Sequence, residues 1–147
     1  MGTFLKSSQL NKTMLEKVNI PVVLCSFSPR LKRIISEVGF KEVSLNKILA
    51  EALVKKDTLV RSQFVSEEVM KIVTLTQCPI FLTDYEMLFD PRYNIDVIKL
   101  FYEISRRVKI VIKWCGVLND NRLVYATPAY KDFHSYNVYD YDIICVI

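Results

Sequence analysis

Cys78-Pro79-Ile80-Phe81-Leu82-Thr83-Asp84-Tyr85-Glu86 is the stretch on which the fold turns. An apolar run leads through Thr83 to an acidic residue, and a second carboxylate follows two positions on. Strands of a parallel sheet are buried on both faces. They therefore read as unbroken apolar runs, and the first charge marks where the chain reaches water. At a period of two, Asp84 and Glu86 point to the same side of that strand end. Two carboxylates at the carboxyl end of a central strand suit a nucleotide-binding α/β fold, where they hold a hydrated magnesium ion and polarise water. The plainer reading is a buried strand running into a solvated acidic turn.

Working outward, the same logic finds further strands at Ile20–Cys25, Phe40–Leu45, Val108–Cys115, Leu123–Ala126 and Tyr141–Ile147. Helical periodicity fills the gaps between them. Residues 1–19 read as an amphipathic helix through Leu10, Met14, Leu15 and Val18, packed on the domain. A helix over 29–38 has Pro29 in its first turn and Gly39 at its C-terminal cap. Ser44 or Asn46 can cap a helix running to Val54, and Ser66 looks like the N-cap of a helix ending near Gln77. Asn94 can cap a helix to Arg107. Asn119-Asp120-Asn121 is a hairpin turn, and Thr127–Asn137 is an aromatic loop or short helix. This alternation predicts one α/β domain over residues 1–147 with a mostly parallel, three-layer sheet. Residues 121–147 should add edge strands, at least one of them antiparallel.

An acidic strand of this kind pairs, in a P-loop NTPase, with an earlier strand that runs into G-x-x-x-x-G-K-[ST]. Here the first strand runs into Ser26-Phe27-Ser28-Pro29-Arg30-Leu31-Lys32-Arg33. Lys32 falls on the lysine position. Ser26 and Leu31 stand where the glycines belong, and Arg33 replaces the hydroxyl that would touch magnesium. A phosphate cradle needs backbone conformations that glycine reaches freely. Holding a leucine in such a conformation costs ~1–2 kcal/mol, and Pro29 removes one N–H from the cradle. Ser26, Ser28, Lys32 and Arg33 remain the candidate phosphate turn, because a helix N-terminus with basic neighbours attracts anions. A plain strand–turn–helix with a solvated basic face is the competing reading.

Composition narrows the classes. Hydrophobic residues make up 51% and charged residues 24%, which excludes a disordered chain. The net charge of +4 is spread along the chain, so it permits a polyanion partner without requiring one. Cys25, Cys78, Cys115 and Cys145 sit in or beside apolar runs and read as reduced thiols rather than disulfides. Their spacing, with His134 the lone histidine, does not make a zinc site. No apolar run approaches the ~20 residues of a membrane span, and the expected location is the cytoplasm.

Taken together, these residues resemble the small P-loop-containing BrxF proteins of BREX phage-defence systems in prokaryotes. The resemblance covers about residues 20–147. It is carried by Phe81–Pro91, Ile104-Ser105-Arg106-Arg107, Val111–Gly116 and Arg122–Pro128. In that pattern Asp84 matches the acidic position, with magnesium held through water, Glu86 the carboxylate beyond it, and Lys32 the loop lysine. Ser26, Leu31 and Arg33 depart from it. The resemblance implies a minimal P-loop NTPase-like core that works beside other defence-system proteins.

Other features bear on function. Arg106 and Arg107 suit a helix C-terminus or could act as arginine fingers on a neighbour. Tyr125, Tyr130, Phe133, His134, Tyr136, Tyr139 and Tyr141 could stack bases, bury against a protein partner, or pack locally. The expectation is a non-catalytic or weakly catalytic subunit acting through protein contacts. The alternatives are an NTPase completed by a partner, with ATP or GTP and magnesium and Glu86 placing water, or a nucleic-acid-binding module that contacts DNA. A homo-oligomer is also open.

Overall fold

In a computed structural model, the backbone is described for residues 1–147 and the side chains for all but residues 58–63. The strands are β1 (Thr3–Leu5), β2 (Val22–Leu24), β3 (Lys41–Ser44), β4 (Ile80–Thr83), β5 (Ile110–Lys113), β6 (Val117–Asn119), β7 (Arg122–Tyr125), β8 (His134–Asn137) and β9 (Ile144–Val146). The helices are α1 (Lys12–Lys17), α2 (Pro29–Val38), α3 (Leu45–Val54), α4 (Thr58–Leu75) and α5 (Val97–Ser105).

Six strands form one sheet in the order β1-β9-β2-β5-β4-β3, and every pairing in it is parallel. The runs Val22-Val23-Leu24, Ile80-Phe81-Leu82 and Ile110-Val111-Ile112 are buried throughout, as strands covered on both faces must be. Alternate residues feed two cores. Val22, Leu24, Phe81, Val111 and Val146 pack against α1 and α2 through Leu15, Leu31, Ile34 and Ile35. Val23, Ile80, Leu82, Ile110, Ile112 and Cys145 pack against α3, α4 and α5. The result is three layers, with β2 and β4 ending on the same rim, one on each side of β5.

Helix α2 has the predicted bounds. The Ser28 side chain accepts the Leu31 N–H at its start, and Gly39 closes it at φ 101°. No atom crowds a Cβ at Gly39, so Gly39→Ala should cost only the ~1–2 kcal/mol of a left-handed residue. At Gly116 a Cβ would lie 1.9 Å from the Val124 carbonyl oxygen. There the backbone itself must move, so Gly116→Ala should cost at least as much as overpacking a core, ~1–3 kcal/mol. Urea denaturation of the two variants tests the order.

Several expectations are corrected. Residues 1–19 are not one helix: Thr3–Leu5 pairs with β9 as an edge strand and only Lys12–Lys17 is α-helical. Phe4 finds its partner at Tyr139, a contact local periodicity cannot see. Ser66 is no N-cap. The buried stripe Val65, Val69, Val73 runs straight past it, and Ser66 itself faces water within α4. Asp96, not Asn94, caps α5 by accepting from the Lys99 N–H at 3.0 Å, while Asn94 takes a positive φ of 50°. The antiparallel strands do not extend the main sheet. They form a separate sheet, β6-β7-β8, around the predicted Asp120-Asn121 hairpin turn. The last strand is internal, inserted in parallel between β1 and β2. Ile143-Ile144-Cys145-Val146 has the unbroken apolar signature of that position. Among the described residues, no helix is long and apolar enough to cross a membrane.

Candidate functional site

The acid pair sits at the carboxyl end of β4, but period two does not hold beyond Thr83. The chain turns at Asp84, which adopts φ 50°, a left-handed conformation that Asp tolerates better than most residues. Glu86 then opens a short 3-10 turn over Glu86–Phe89. Both carboxylates are held from the end of β3. The Ser44 hydroxyl donates to Asp84 Oδ2 at 2.6 Å, and the Asn46 amide donates to Glu86 Oε2 at 2.7 Å. Asn46 also donates its backbone N–H to the Asp84 carbonyl at 2.6 Å and accepts the Met87 N–H at 3.1 Å. The Ser44 side chain therefore leaves α3 uncapped, because a charged acceptor is the stronger partner. The expected capping by Ser44 or Asn46 is replaced by clamping of the acid pair.

The phosphate turn is closed. Cys25–Ser28 joins β2 to α2, and the helix has begun by Pro29. Leu31 is fully buried among Leu15, Leu24 and Ile35. Its N–H is bound by Ser28 Oγ at 3.3 Å, and the Lys32 N–H by the Ser28 carbonyl at 3.0 Å. Two of the turn's donors, the Leu31 and Lys32 N–H groups, are thus occupied within the helix. Lys32 and Arg33 lie on the exposed face of α2, and Ser26 is exposed at the rim. Arg30 is taken up by the Ser7 and Leu10 carbonyls at 2.9 and 2.8 Å, tying the N-terminal segment down.

The cavity beside the acid pair is about 270 Å³ and is lined by Thr83, Asp84, Glu86, Lys113, Trp114 and Cys115. None of Ser26, Ser28, Lys32 or Arg33 lines it. The structure therefore brings Asp84 and Glu86 together and leaves the phosphate-turn residues out of their cavity. The cation it supplies instead is Lys113, whose ammonium lies 5.2 Å from the centroid of the Phe27 ring. Phe27 in turn stacks on Phe81, with centroids 5.5 Å apart. Sequence reasoning missed Lys113, although the signal used for Asp84 applies to it. It is the first charge after an apolar strand, and its register beside Leu24 of β2 places it on the rim.

Buried groups next to Cys115, which lines this cavity, stay protonated. Tyr85 is fully buried, with its hydroxyl donating to the Lys113 carbonyl at 2.8 Å. Burial first, then the neighbouring Cys115, pushes its phenol well above the ordinary range. Burial likewise pushes the Cys115 thiol up to about 12, and Tyr136 up to about 12. In the unfolded chain these groups ionise from ~8.5 for thiols and ~10 for phenols. Their raised folded values mean that the stability they contribute is present below those values and falls as pH climbs towards about 12. Melting temperature should accordingly hold up to about pH 8 and decline above it. Cys115 should also alkylate far more slowly with iodoacetamide than a free thiol at the same pH.

The aromatic tail is mostly an internal joint. Phe89, at the end of the 3-10 turn, stacks on Tyr125 at 4.1 Å and meets Trp114 edge-on at 6.0 Å. His134 and Tyr136 stack at 6.0 Å, and Tyr136 meets Tyr141 edge-on. The Tyr141 hydroxyl donates to Asp96 at 2.7 Å, and burial first, then that partner, raises its pKa. Tyr130 and Tyr139 are exposed. Arg106 and Arg107 end α5 on the surface, beside a cleft with Met70 and Glu103. No protein-family model, curated protein or solved structure matches this chain.

Proposed function

We propose that the protein is a P-loop-like, non-catalytic subunit of a prokaryotic phage-defence complex of the BREX type, acting in the cytoplasm through contacts with other proteins. The order of strands supports this reading. The strand before the degenerate turn and the strand bearing the acid pair share one parallel sheet and one rim, with a single strand between them. Ligands of such sheets sit outside the carboxyl ends of the strands. The observation that carries the non-catalytic part is Leu31, fully buried in the core at the position where a phosphate loop needs glycine. A buried side chain in the turn, together with the Leu31 and Lys32 N–H groups bound inside α2, supports the loss of the cradle while the sheet persists.

Calorimetry with ATP or GTP and magnesium should give no binding at micromolar concentrations, and Lys32→Ala should change nothing. Micromolar binding that Lys32→Ala abolishes would overturn the proposal. In cells carrying the defence system, deletion of the chain should restore phage plaques, whereas Lys32→Ala should still protect. A second reading is favoured by one observation: Asp84, Glu86 and Lys113 line the same cavity. An NTPase completed by a partner would place magnesium at Asp84 and water at Glu86. Hydrolysis by the assembled complex that Asp84→Ala and Glu86→Gln both abolish would establish it, and absence of turnover in that complex would remove it.

A further inference from the structure

The main sheet ends in two edge strands, β1 and β3. At one edge, β1 carries Phe4 against Tyr139, and the N-terminal ammonium is paired with Asp142. At the other, β3 is open along its length. Its Lys41 N–H donates inward to the Pro79 carbonyl at 2.8 Å. Alternation along a parallel ladder then turns the N–H and carbonyl of Glu42, and the N–H of Ser44, away from the sheet. Lys41, Glu42 and Ser44 are all exposed.

Beside this edge runs a groove of about 360 Å³ between β3, α3 and α4. Val43, Ile48 and Ile72 supply its apolar wall, and Lys41 and Lys47 stand at its mouth. Ile48 is 44% exposed and Leu75, one turn beyond Ile72 on α4, is 81% exposed. Among the described residues, neither Lys41 nor Lys47 makes an ion pair.

We propose that β3 and this groove receive an extended acidic–apolar segment of a partner protein, added to the sheet as a seventh strand. The outward ladder groups select an extended backbone, because a helix cannot satisfy them. The wall of Val43, Ile48 and Ile72 takes alternate apolar side chains on one face of the added strand. The two lysines select carboxylates. Glu42 also lines the groove, so two lysines stand against one glutamate and the groove keeps a positive excess; a second copy carries the same excess and is the poorer partner for this edge. The site stands apart from the phosphate turn and does not depend on how that turn is read. It is nevertheless wired to the acid pair, because Ser44 and Asn46, at the end of β3, hold Asp84 and Glu86.

The probe is a synthetic peptide of about ten residues alternating Glu or Asp with Val or Ile, long enough to cover an edge strand of ordinary length. Its control carries Lys at each acidic position. In amide NMR of the full chain, the acidic peptide should shift Lys41–Ser44, Lys47, Ile48 and Ile72 and protect the Glu42 amide from exchange. The lysine peptide should leave them unmoved. Glu42→Pro removes an N–H that the sheet does not use and should abolish the shifts. Lys41→Glu with Lys47→Glu should weaken the acidic peptide at least tenfold and admit the lysine peptide. Equal response to both peptides, or no response at millimolar concentration, would overturn the proposal. So would a dimer of the free chain that Glu42→Pro dissolves, which would assign the edge to a second copy.

Discussion

Leu31→Gly, the substitution that would restore a glycine to the phosphate-loop pattern, is expected to destabilise the protein and to confer no nucleotide binding. Leu31 is fully buried in the core. Truncating a buried leucine costs ~2–5 kcal/mol with the cavity it leaves, and glycine in a helix adds ~1 kcal/mol. Since small domains are stable by only ~5–15 kcal/mol, much of the fold's margin would go. Urea denaturation should show the midpoint fall, and calorimetry with ATP and magnesium should stay flat under conditions where the variant is still folded. A variant that keeps its parent's stability and takes up ATP would mean that Leu31 does not close the turn, and the non-catalytic reading would fail.

Phe89→Ala is expected to have the second large effect, and to act in a particular place. The Phe89 ring touches Tyr85, Trp114, Tyr125 and His134, so it joins the main sheet's rim to β7 and β8. Removing a buried phenylalanine costs ~3–5 kcal/mol, and the two well-placed aromatic contacts add to that loss. Hydrogen exchange should rise first over residues 117–137, before β2, β4 and β5 are affected, because those strands also pack against α1 and α2 in a second core that Phe89 does not enter. Uniform acceleration across both sheets would show that the two do not separate, and that Phe89 is an ordinary core residue.

The rim of the sheet was only partly legible. Asp84 was found from the apolar run before it, and Lys113 answers to the same signal one strand over, yet it lacked a motif to draw attention to it. Lys32 had a motif position but faces solvent, because burial of Leu31 rotates the helix so that its neighbour points outward. Ser44 and Asn46 read as caps because nothing local announces a carboxylate 40 residues away. The aromatic tail read as a surface available to bases or partners, but most of its rings close on Phe89 and one another.

Residue order alone determined the parallel α/β class, the bounds of α2 and the hairpin at Asp120-Asn121. Each follows from interactions within a few residues: unbroken apolar runs, a proline and a glycine at the ends of a helix, and a polar turn between alternating strands. Only tertiary structure decided that β9 lies inside the sheet, that Thr3–Leu5 is a strand, and that the acid pair is clamped from β3. Those outcomes depend on partners far away in the chain, and an edge strand or a hydrogen-bonded carboxylate acquires its identity only when that partner arrives.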